Sequence, residues 1–140
     1  MRLPEPADLT SLVLRTDFSD NCAWETVQVA ITGSQEYQSA TFVSDPSFAG
    51  VDAAALVAAD AAAEPDARVI YLFLADAVTM SDPEHLLLAI DLADEPGRTF
   101  RVPPGWYSDV SANLCIANMD FWEFADAVDN SGTYRGFDGE

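Results

Sequence analysis

Lysine is missing altogether. The six basic residues are all arginine, they face 24 aspartates and glutamates, and the formal net charge is -18. No ammonium point charge is therefore available for a phosphate, and a field of this sign repels nucleic acid and anionic membranes. Histidine occurs once, at His85, so zinc has no imidazole pair. The better expectation is a loop histidine held by a neighbouring carboxylate. Cys22 and Cys115 show no CxxC spacing and are expected as buried free thiols of a reducing compartment. No glycine-rich phosphate loop occurs. No apolar run reaches bilayer-spanning length, and Met1-Arg2-Leu3-Pro4-Glu5-Pro6 does not read as a secretory signal. The expectation is a cytoplasmic protein with neither nucleic acid nor membrane as partner.

What remains is a chain of 140 residues, 49% apolar, the size and richness of one domain with a full core. Residues 1–10 read as a loose lead-in and 131–140 as a tail. Two short apolar runs organise the rest. Val69 to Ala75 and Leu86 to Ile90 show no alternation, as in strands covered on both faces. Before them, Leu12–Arg15 reads as a first strand, and Ser19 is expected to cap a helix whose stripe is Ala23, Trp24, Val27 and Ile31, ended by Gly33. After a polar loop over 34–39, Ala40–Val43 reads as a strand. Asp52 caps an alanine-rich helix, with Val51 and Leu56 as its staple, and Glu64-Pro65-Asp66 ends it.

The later half predicts a turn at Asp94–Gly97, a hairpin strand over Thr99–Val102, a break at Pro103-Pro104-Gly105, and a sixth short strand over Ala112–Ala117. Asp120 and Glu123 mark a capping box, with Met119 and Phe124 as staple, for a helix running to Asn130-Ser131-Gly132. The fold class is α/β: a three-layer domain with a mixed sheet of five or six strands, parallel in its first half and antiparallel in its second, with helices on both faces. The direction of the fourth strand stays open.

Two kinds of site suggest themselves. Asp17, Asp45, Asp76 and Asp91 follow strands, and carboxylates gathered at strand ends hold magnesium in hydrolases and phosphotransferases. Against that, aspartate is a common cap and turn residue and this chain is rich in it. Asp17, Asp76 and Asp91 form the metal set of this alternative. The other kind is a binding surface: Trp106, Tyr107, Trp122 and Tyr134, with Asp126 beside them, lie in predicted loops or off the apolar stripe, where aromatics ringed by polar groups anchor partners. Arg15 and Arg101 are expected in structural salt bridges.

The runs Leu12-Val13-Leu14-Arg15-Thr16-Asp17-Phe18-Ser19-Asp20 and Arg98-Thr99-Phe100-Arg101-Val102, and the stretch from Ala117 to Asp129 with Tyr134-Arg135-Gly136-Phe137, resemble a family of small acidic actinobacterial proteins of unknown function. The resemblance covers nearly the whole chain and implies no activity. It implies a GC-rich host, which disfavours lysine codons. The leading expectation is a non-enzymatic acidic domain of immunity, inhibitor or nucleic-acid-mimic type that binds a basic protein. The metal-dependent enzyme is the alternative, and a small-molecule sensor a third.

Overall fold

The computed structural model describes residues 3–33 and 40–136. The predicted polar loop over 34–39 and Phe137 of the tail lie outside them.

Five strands form one sheet in the order β2-β1-β3-β4-β5. β1 (Ser11–Arg15), β2 (Ala40–Val43) and β3 (Tyr71–Ala75) run parallel, with Val13 beside both Phe42 and Phe73. β4 (Leu87–Asp91) and β5 (Thr99–Val102) continue the sheet antiparallel. The two apolar runs thus lie at its middle, as the missing alternation implied. The side-chain period of two sorts them between two cores. Leu12, Leu14, Leu72, Leu74 and Ile90 face one layer, and Val13, Phe73, Ala89 and Phe100 the other. Each fully buried leucine contributes roughly 1.5–3 kcal/mol.

Helices α1 (Asn21–Thr32), α4 (Pro104–Cys115) and α5 (Phe121–Ala125) pack on the second face. Helix α2 (Ala53–Ala61), Phe48 and Leu3 cover the first. Helix α3 (Ala77–Ser81) sends Met80 into the α1 side. The crossovers through α1 and α2 lie on opposite faces, so the chain leaves β1 in one direction and returns to its other flank at β3.

Several local expectations change. Asp20, not Ser19, caps α1, accepting from the Ala23 amide at 3.0 Å. Gly33 sits in right-handed helical backbone, so it does not end α1 by a left-handed turn. Its amide bonds Val29 O at 2.7 Å, and a Cβ there would meet that oxygen. The expected sixth strand is the last turn of α4. Pro104 opens that helix, because proline at the first helical position gives up no hydrogen bond. The capping box at Asp120–Glu123 is present, but α5 stops at Ala125. Val128 instead bridges Tyr134 across a loop held by the Asp129 carboxylate, which accepts from the Ser131 and Thr133 amides, the Ser131 hydroxyl and Arg135. These bonds, the Ser131 hydroxyl foremost, push the Asp129 carboxyl down to about 2. Thr133 and Tyr134 pair with Arg101 and so cover the outer edge of β5.

The cysteines also differ from expectation. Both are free, but Cys22 is exposed and Cys115 half-exposed. His85 is held through Nδ1 at 2.9 Å from the Thr79 carbonyl rather than by a carboxylate.

Candidate functional site

One of the two predicted kinds of site falls at an end of β3. At its carboxyl end, a shallow cleft of about 590 Å³ opens where the strand order reverses, between β1 and β3. Ligands of open α/β sheets bind at this place. Thr16, Asp17, Ser19, Gly50 and Asp76 line it. Its charges are committed to structure. Asp76 caps α3 through the Thr79 amide and takes both guanidinium amino groups of Arg101 at 2.9 Å. Partial burial alone would push the Asp76 carboxyl up. The Arg101 and Thr79 hydrogen bonds outweigh it and hold the group below its ordinary value. Asp17 accepts from the Ser19 amide.

Arg15 is buried beside the cleft. It donates to the Asp17 carbonyl, Ser44 and Asn21, lies 4.4 Å from the Phe18 ring centre, and forms no ion pair among the described residues. The expected salt bridge holds for Arg101 but is replaced at Arg15 by neutral acceptors and an aromatic face.

Asp91 does not join Asp17 and Asp76. Because β4 runs antiparallel, Asp91 pairs with Tyr71, and five residues of strand, about 16 Å, separate that level from Asp76. Its buried carboxylate accepts from the amides of Ala93, Asp94 and Glu95 and so shapes the β4–β5 turn. Asp45 caps the short turn Pro46–Phe48. Among the described residues no group of three or more histidines, cysteines or acids is placed to hold a metal ion.

The predicted aromatic surface divides. Tyr107 and Tyr134 are core residues, 0% and 1% exposed, and cannot anchor a partner. Tyr134 packs edge-on against Phe124 and Trp106, which leaves Trp106 only partly exposed. Burial of Tyr107 follows from α4: in a helix it faces the sheet together with Val110 and Ser111. Trp122 alone of the four is exposed, at 46%, and Asp126 is exposed but bridged to Arg98.

At the amino end of β3 lies a feature the sequence reading passed over. A groove of about 130 Å³ runs beside Ile70 and Tyr71, floored by Leu114, Met119 and Phe121 and edged by Asp94 and Asp120. Tyr71 is fixed beneath it: its hydroxyl and that of Ser111 both meet Ser11 Oγ at 2.7 Å, and burial pushes the phenol up to about 12. Ile70 stands at the rim, 48% exposed, with φ 68°. For a β-branched residue this left-handed backbone is a strained outlier costing about 1–3 kcal/mol. It is held there by Asp60, a buried carboxylate of α2 that accepts from the Val69 amide at 2.7 Å and the Ile70 amide at 3.1 Å, and by Leu92, whose amide bonds Ile70 O at 2.9 Å. One signal did exist. Asp60 lies four residues after Leu56 in a helix of alanines, on the face that must be buried.

The architecture defines a three-layer α/β domain with a mixed five-stranded sheet. The chain belongs to the family of the domain of unknown function DUF6924, whose model matches residues 10–137. Comparison with curated proteins finds no match. No helix among the described residues is long and apolar enough to cross a membrane.

Proposed function

We propose that this is a non-enzymatic acidic domain that docks onto a basic protein, as an immunity protein, inhibitor or nucleic-acid mimic does. One observation carries the reading. Every described arginine is bound within the molecule: Arg15 and Arg68 to neutral groups, Arg98 to Glu95 and Asp126, Arg101 to Asp76, and Arg135 to Glu84 and Asp129. The negative excess therefore faces outward, where it steers a cationic partner and turns away nucleic acid and anionic lipid. Two free cysteines suit a reducing cytoplasm, and an actinobacterial GC-rich host accounts for the missing lysine.

The test is association with basic proteins encoded beside this one. Its rate constant is expected to fall about tenfold as salt rises and the Debye length shrinks from roughly 10 Å to roughly 3 Å. Association that ignores salt overturns the reading.

The divalent-cation hydrolase or phosphotransferase keeps one point in its favour: Asp17 and Asp76 share the cleft at the strand switch. Asp91 is not part of it, and Asp76 is already engaged by Arg101 on both oxygens.

A further inference from the structure

We infer that the groove beside Ile70 is where the partner docks, and that it takes one aliphatic side chain from a basic segment. This rests on the reading of the chain as an acidic docking domain. The size decides the class of occupant. About 130 Å³ is below the roughly 300–1,000 Å³ of small-molecule pockets and suits a single leucine, isoleucine or methionine. The floor is apolar through Leu114, Met119 and Phe121, and the one further carboxylate of the lining, Asp91, is already taken up by the amides of Ala93, Asp94 and Glu95. The rim carries Asp94 and Asp120, both exposed, which complement lysine or arginine on either side of the anchor. An aliphatic anchor flanked by cations matches this charge pattern, and an acidic segment does not.

Ile70 gives the second reason. A chain that only needed to turn from the end of α2 into β3 would do so at lower cost with glycine or asparagine in the left-handed position. Here an isoleucine occupies it, half-exposed, and the buried Asp60 carboxylate bonds its amide and the one before it. Strain retained beside a concave apolar surface is characteristic of binding sites.

The experiment is a methyl and amide NMR titration of the whole chain at low salt with two capped peptides, Lys-Arg-Leu-Arg-Lys and Lys-Arg-Gly-Arg-Lys. Shifts at Ile70, Met119 and Phe121, with the leucine peptide bound about tenfold tighter than the glycine peptide, support the groove. Ile70→Asn, which takes this backbone at lower cost, is expected to retain or raise the melting temperature and to erase that preference. If both peptides bind equally and the shifts scatter over acidic surface elsewhere, the groove is overturned and the acidic-domain reading stands. If neither peptide binds even at low salt, the groove and that reading fall together.

Discussion

One strand, β3, ends in two opposite ways. At its carboxyl end the charged groups are engaged within the chain: Asp76 is clasped by Arg101, and Asp17 accepts from the Ser19 amide of its own turn. At its amino end a carboxylate, Asp60, is buried to hold backbone, and the exposed surface is an isoleucine in a strained conformation. The first end resembles a site because it has acidic residues, yet those residues are occupied. The second has few conspicuous residues, yet it leaves apolar surface uncovered. Residue type alone points to the first end, and hydrogen-bond accounting points to the second.

The largest expected effect tests the amino end. Asp60→Ala strands the buried Val69 amide and releases that of Ile70, and should cost about 2–4 kcal/mol in chemical denaturation. A loss below about 1 kcal/mol would show that Leu92 alone maintains the left-handed turn.

Next comes the carboxyl end. Arg101→Met leaves Asp76 with only its Thr79 contacts, for about 1–2 kcal/mol. The same pair sets an acid dependence. A carboxyl held below its ordinary value in the folded state stabilises above the unfolded pKa, and that contribution fades as pH falls through the folded one. Asp129, pushed down to about 2, behaves alike. Stability of the native chain should therefore decline as pH drops from about 4 towards about 2. In Arg101→Met the part due to Asp76 should shrink, as read by urea midpoints across that range. The smallest expected effect is none: millimolar magnesium or manganese should leave the melting temperature unchanged, because Asp91 does not reach the cleft. A clear rise would return the strand-end aspartates to consideration.

The layered fold was legible because buried central strands cannot alternate. Leu72, Phe73 and Leu74 have to be apolar on both faces, and that is visible in one dimension. Helix α4 was not legible, because Pro103-Pro104-Gly105 reads as a break when in fact Pro104 begins the helix, and Ala112–Ala117 imitates a strand by chance alternation. That single misreading moved Tyr107 from the core to the surface. The helix after Asp120 was read too long, because Val128 continues the helical period although it serves a bridge to Tyr134. At the sites, Asp91 was misplaced because strand direction decides which end a residue occupies, and direction is a long-range property. The Ile70 groove was invisible because an isoleucine inside an apolar run gives no local sign of left-handed backbone.

The internal employment of the arginines has a consequence for how copies of the molecule meet. With no lysine, and with Arg98, Arg101 and Arg135 each paired to a carboxylate of the same chain, two copies approaching at neutral pH are expected to repel as like-charged bodies. Near pH 4.1, where the chain's charge vanishes, that mutual repulsion is gone while Ile70, Ile116 and Trp122 still protrude. Light scattering through mild acidification should then show clustering before unfolding begins. The acidity proposed to direct a partner inward would also be what keeps the molecule from adhering to itself.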